Sequence, residues 1–182
     1  MKQELLKKEI EILHGIDINA SGNTISIKGP RGELIKSFVN PDVKTEINNG
    51  KIVLHANNAT KREKRMIGTF SAHLKNMMKG VTKGFIYKLK ICSGHFPMNV
   101  SVEGKDVVIK NFLGERHPRR SKIMDGAKVN VQGDIITVEG IDKDVVSQSA
   151  SNIELACRIS NRDRRILMDG IWIIRKDEKA IR

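Results

Sequence analysis

Two basic runs hold the residue types in this chain best suited to chemistry. "GERHPRRSK" covers residues 114–122 and "RISNRDRR" covers 158–165. Between them they carry Arg116, Arg119, Arg120, Lys122, Arg158, Arg162, Arg164 and Arg165. A guanidinium presents a planar fork of N–H donors that fits a phosphate at two points, whereas a lysine ammonium is a hydrated point charge. One such run reads equally well as a solvated edge. Two runs in one half of a chain with a formal charge of +12 and a pI near 9.9 favour a surface that holds a polyanion.

Catalytic readings find little support. The chain lacks a Gly-x-x-x-x-Gly-Lys-[Ser/Thr] phosphate loop, a Gly-x-Gly-x-x-Gly turn and a Gly-x-Ser-x-Gly nucleophile turn. Cys92-x-x-His95 offers two ligand types with no second pair nearby, so no metal site is expected. Cys157 lies on a helical stripe of small residues, where packing explains it better than nucleophilic chemistry. His14, His55, His73, His95 and His117 are scattered, and of these only His117 sits where it could touch phosphate. No acidic pair calls for acid–base work, and no carboxylate cluster would hold a nuclease's metals. No cofactor, small-molecule substrate or enzymatic activity is expected.

The elements that must position the basic runs emerge from an internal repeat. "ISIKGPRGEL" (25–34) aligns with "VVIKNFLGER" (107–116), matching Ile27 with Ile109, Lys28 with Lys110, Gly32 with Gly114 and Glu33 with Glu115. Upstream, Gly22 falls on Gly104. Downstream, "VKTEINNGKIVLH" and "AKVNVQGDIITVE" each read as two alternating strands about a Gly-containing turn, Asn49-Gly50 or Gln132-Gly133. A helix follows each pair. Thr60-x-x-Glu63 makes a capping box for the first, which is expected to stop near Gly80. Met66, Ile67, Phe70, Leu74, Met77, Met78 and Val81 form its apolar face. The second opens near Asp142 and presents Val146, Ala150, Ile153 and Cys157.

The fold class implied is α+β: two duplicated modules, 1–82 and 83–182, each an antiparallel sheet with a helix packed on one face. Phe85, Tyr87, Leu89 and Ile91 alternate with Ile86, Lys88 and Lys90, which predicts a stiff strand running from one module to the next. The stretch after "RISNRDRR" is expected to fold as a packed hairpin turning on Asp169-Gly170. The opening "MKQELLKK" and the tail "KDEKAIR" have no place in this pattern and are expected to be disordered or to touch neighbours.

Each half carries a net charge of +6, from 14 basic against 8 acidic residues before Thr82 inclusive and 19 against 13 after it. The first half has three arginines and the second has nine, so the second module is the candidate for the tighter grip. Aromatic residues are 4% of the chain, too few for the stacking platforms of single-strand binders. No helix-turn-helix or zinc-finger spacing occurs. Backbone and shape recognition of folded RNA fits best. A free RNA-processing or assembly factor and an RNA-modifying enzyme stand as rival classes. No stretch approaches a membrane span, no targeting segment is visible, and a cytosolic protein without membrane contacts is expected.

"SIKGPRGEL", "LKNMMKGVTKGF", "HFPMNV", "NFLGER" and "RDRRILMDGIWI" resemble the large-subunit ribosomal protein six family in its archaeal and eukaryotic form. The resemblance spans roughly Glu9 to Ile174. It departs at "EILHG", where family members often carry a proline. It implies two duplicated domains in the cytoplasmic ribosome. The C-terminal domain would bind large-subunit ribosomal RNA near the sarcin–ricin loop. The N-terminal one would lie toward the stalk base, beside neighbouring ribosomal proteins and the region where translation factors dock. Carried onto this chain, the RNA ligands would be the eight basic residues of the two runs. Lys110, Asn111 and Arg175 come second. Lys61, Arg62 and Arg65 are candidates in the first module, because a basic first helical turn opposes the helix dipole and invites an outside anion.

Overall fold

The computed structural model describes residues 3–48, 50–160, 163 and 166–181. The chain divides into two compact units, 1–84 and 85–182.

In the first unit, β1 (Gln3–Glu11), β6 (Lys51–Ala59) and β5 (Lys44–Asn48) form one antiparallel sheet in the order β1-β6-β5. A second sheet joins β2 (Asp17–Ser21), β3 (Thr24–Gly29) and β4 (Gly32–Ser37). The helix α1 (Lys61–Thr82) buries Ile67, Phe70, Leu74, Met77, Met78 and Val81 among Ile25, Ile27, Ile52 and Leu54 of the strands. The capping box forms: the Arg62 amide donates to Thr60 Oγ1 at 3.2 Å, and the Thr60 amide donates to Glu63 Oε2 at 2.7 Å. The helix does not stop at Gly80, which is buried inside it. Gly84 ends it instead, with φ 76°, where its amide donates to the carbonyls of Gly80 (3.0 Å) and Lys79 (3.3 Å). A glycine is needed in that left-handed position, and Gly80 keeps ordinary helical geometry.

The second unit repeats this order. β7 (Phe85–Cys92), β12 (Ile135–Gly140) and β11 (Ala127–Gln132) match β1, β6 and β5, while β8 (Asn99–Glu103), β9 (Asp106–Lys110) and β10 (Arg119–Lys122) form the second sheet. The helix α2 (Lys143–Ala156), capped by Asp142, buries Val146, Ala150 and Ile153, with Cys157 beyond its end, against Phe85, Leu89, Ile136 and Ile171. Two further strands, β13 (Gly170–Lys176) and β14 (Lys179–Ala180), extend the larger sheet to β11-β12-β7-β13-β14. Both units are therefore α+β, with the strands of each split between two antiparallel sheets rather than laid in one.

Further expectations change. Phe85–Cys92 is not a connector between modules: it is the central strand of the five-stranded sheet, paired on both edges, and its inward residues Phe85, Tyr87, Leu89 and Ile91 are buried in one core. "MKQELLKK" is not a loose end: from Gln3 onward it enters β1, which pairs with β6 from Gln3↔Ala59 to Glu11↔Lys51. Asp169-Gly170 is not a hairpin turn. Leu167 to Asp169 run without regular structure into β13, and the hairpin lies further on, at Asp177-Glu178, drawing the tail into β14. The second repeat turns on Gly133-Asp134 rather than Gln132-Gly133, since Gln132 pairs with Ile135. Asn49 of the first turn lies outside the described residues.

Candidate nucleic-acid interface

The basic run 114–122 is not one loop. Its second half, Arg119 to Lys122, is strand β10, paired with β9 from Arg119↔Ile109 to Lys122↔Asp106. The residues before it, 111–118, bridge β9 and β10 by an unusual path. Asn111 and Leu113 both take left-handed backbone, at φ 59° and 50°, around a short 3-10 turn. Asparagine tolerates that region, but leucine does so at a cost of order 1 kcal/mol or more, so surrounding contacts must hold it. They are visible. Phe112 is buried in the core at 1% exposure. Asn111 Nδ2 donates to the Pro97 carbonyl at 3.0 Å, the Glu115 amide donates to the Phe112 carbonyl at 2.9 Å, and Gly114 sits where an added Cβ would meet the Phe96 ring at 3.4 Å.

Arg119 is the most engaged of the candidate ligands. Its Nε and Nη2 donate to the two oxygens of Glu115 at 2.8 and 2.6 Å. Its Nη1 donates to the carbonyls of Ala156 at 2.9 Å and Arg158 at 3.2 Å. Its guanidinium carbon lies 4.3 Å from the centre of the Phe112 ring, within cation–π range. The hydrogen bonds from Arg119 hold the Glu115 carboxyl below its ordinary range, and Glu115 in turn raises Arg119, so both stay charged.

This contact joins the two basic runs. Arg116, exposed and next in sequence to Glu115, and Arg158, exposed just past α2, are linked through the Arg119 fork. Arg120 and Lys122 are exposed on the opposite face of β10. There Arg120 lies 3.9 Å from Glu103 and 3.8 Å from Asp106, and Lys110 lies 3.8 Å from Glu103. Ion pairs this long and exposed contribute little stability and leave the cations able to change partner. Arg175 is not gathered in: it is exposed toward the far end of β13, where its Nε donates to the Asp177 carbonyl at 2.7 Å. Lys61, Arg62 and Arg65 are exposed on the first turns of α1, in the other unit. Arg162, Arg164 and Arg165 lie outside the described residues.

One structural residue had no sequence signal. Asp169 is 5% exposed and accepts from the amides of Gly94 (3.0 Å) and His95 (3.1 Å) and from His95 Nδ1 (3.1 Å). Burial disfavours its charge, but those donors outweigh burial and lower its pKa. His95 is therefore the partner of a buried carboxylate and not a lone surface histidine. Only a tertiary contact 74 residues distant in sequence could have revealed this. Burial pushes the Cys157 thiol up to about 12, which leaves it un-ionised and unreactive at neutral pH. No cluster of three or more His, Cys, Asp or Glu that could hold a metal occurs among the described residues. Among them, no helix is long and apolar enough to cross a membrane.

Comparison with known proteins agrees with the duplicated plan. A sequence profile described as Ribosomal protein L6 matches the chain twice, at residues 12–84 and 96–170, once in each unit. "Large ribosomal subunit protein uL6" of Methanobrevibacter smithii is 46% identical over 173 residues, covering 94% of this chain and 97% of that protein. Proteins of the same name from Methanosarcina mazei and Methanocella arvoryzae are each 44% identical, over 94% and 93% of this chain. With both halves matched and near-full-length relatives well above 30% identity, the chain belongs to the ribosomal protein L6 family.

Proposed function

We propose that this protein is a structural constituent of the large ribosomal subunit, in the cytoplasmic ribosome, and that its second unit holds folded large-subunit RNA. The role is architectural, without catalysis, in keeping with relatives each named a large ribosomal subunit protein. The observation that carries the RNA reading is the approach of the first basic run to the start of the second at the end of α2, where Arg119 donates to the Arg158 carbonyl beside a loop with left-handed backbone at Asn111 and Leu113. Arginines carried on backbone anchored in this way suit phosphates fixed in a folded RNA, because little order has to be created on binding.

In this reading Arg116, Arg120, Lys122 and Arg158 reach RNA near the sarcin–ricin loop, with Arg162, Arg164 and Arg165 as further RNA ligands. Lys110 and Arg175 reach its margins. Asn111 acts by shaping the loop. The first unit lies toward the stalk base and the region where translation factors dock, with Lys61, Arg62 and Arg65 as weaker RNA contacts. Other ribosomal proteins of the subunit are its neighbours.

Sedimentation of native lysate through a sucrose gradient tests the assignment. Near one copy per large subunit, retained through a high-salt wash, is the expected result. A small fraction released by modest salt would make the protein a transient RNA-binding factor instead.

A further inference from the structure

We propose that Arg119 is a positioning residue: it orders the phosphate-binding arginines on either side of it and does not itself grip RNA. The inference rests on the RNA-binding reading above and deepens it.

Arg119 has five N–H donors, and two acceptor groups take opposite ends of its fork. Glu115 takes one end with both carboxylate oxygens, and the Ala156 and Arg158 carbonyls take the other. Its face is covered by Phe112, itself buried. A guanidinium used on both edges and one face has little left to offer a phosphate. Its charge is also cancelled locally by Glu115.

The far end of the fork answers a need of α2. The last carbonyls of a helix have no partner within it and carry the negative end of its dipole. The last turn of α2 contains no basic residue. Arg119 supplies the missing cation and donor from the start of β10, at the Ala156 carbonyl. One side chain thereby ties the 111–118 loop, bearing Arg116, to the start of the second basic run, bearing Arg158. The left-handed backbone at Asn111 and Leu113 is what such a tie has to hold.

The test uses the full-length protein and in vitro transcribed large-subunit RNA, with Kd measured across a salt series. Arg116→Ala and Arg158→Ala serve as references, each expected to lower the salt slope by about one unit. Arg119→Lys keeps the charge but loses the fork. It should weaken binding about tenfold at fixed salt with the slope unchanged. Glu115→Gln discriminates by sign. It makes the protein more positive, so an Arg119 released to bind phosphate would tighten binding, whereas a broken tie weakens it.

Hydrogen–deuterium exchange of the free variants gives a readout independent of RNA. Amides of 114–117 and Arg158 should exchange faster in both Arg119→Lys and Glu115→Gln, while the β7 and β12 amides stay protected. Unchanged exchange, or a Glu115→Gln protein that binds more tightly, overturns the proposal. If exchange quickens as expected but the Arg116 and Arg158 references leave affinity and slope untouched, the tie stands as a loop-ordering contact. It is then the RNA interface, and with it the positioning role, that is lost.

Discussion

The hairpin β3–β4 of the first unit and the pair β9–β10 of the second occupy the same place in the same topology, yet they are closed differently. In the first unit Gly29 pairs with Gly32 and only Pro30-Arg31 lies between. In the second, residues 111–118 intervene. Both closures reach the carbonyl end of their unit's helix. The Arg31 amide donates to the Val81 carbonyl at 3.0 Å, and the Arg119 side chain donates to the Ala156 carbonyl at 2.9 Å. The tight turn meets the helix with backbone, whereas after the long loop the first residue of β10 meets it with a side chain. The difference shows how two copies of one scaffold can diverge at a single connection. The strands and helix of each unit are held by its core, while the connection between two strands is free to differ in length and charge. The larger sheets differ too. β1 is an edge strand bearing Lys7, Lys8, Glu9 and Glu11, charges that discourage pairing with another chain, whereas β7 is enclosed by β13.

The comparison is most exposed at Phe112, which has no counterpart in the short turn. Phe112→Ala should cost about 3–5 kcal/mol in urea unfolding, as for other buried aromatic deletions. A loss below about 1 kcal/mol would mean that the long loop is not anchored in the core. The short turn is open to the reverse challenge. An added Cβ on Gly29 would stand 2.7 Å from Val81 Cγ2 and 2.9 Å from the Val81 carbonyl. Gly29→Ala should therefore destabilise by about 1–3 kcal/mol through overpacking. A neutral result would show that turn and helix can separate freely.

Asp169 sharpens the contrast through pH, since its clamp belongs to the second unit. Its folded pKa is lowered, below an unfolded value near 3.9. The unfolded state thus binds the proton more readily, so the stabilisation is present above that unfolded value and is lost as pH falls through the folded one. The Tm of the parent protein should fall more steeply than that of Asp169→Asn between about pH 5 and pH 2. Parallel curves would remove Asp169 from the acid response.

The smallest effect is a gain. Gly68 lies exposed inside α1, and a Cβ there would meet nothing within 4 Å. Gly68→Ala should stabilise by about 0.5–1 kcal/mol, read from the urea midpoint. A loss would mean that α1 carries a constraint the free protein does not show.

By itself, the sequence determined the duplication, both helices, the buried faces of α1 and α2, and the capping box at Thr60 and Glu63. These depend on residues a few positions apart, whose periodicity and local hydrogen bonding are written along the chain. It also determined that arginine concentrates in the second half. Tertiary structure alone decided where strands pair and which charges face outward. β1 and β7 are equivalent first strands, although their sequences, "QELLKKEIE" and "FIYKLKIC", share no pattern, because one is an edge and the other is enclosed. The aligned Gly32-Glu33 and Gly114-Glu115 part company in space: Glu33 lies in β4 and accepts from Ser26, whereas Glu115 grips Arg119 ahead of β10. Within one run of like residues, Arg116 remains exposed while Arg119 turns inward. A side chain's charge is fixed by its type, but its partners are set by distant backbone carbonyls and by a ring that only the folded chain brings within reach.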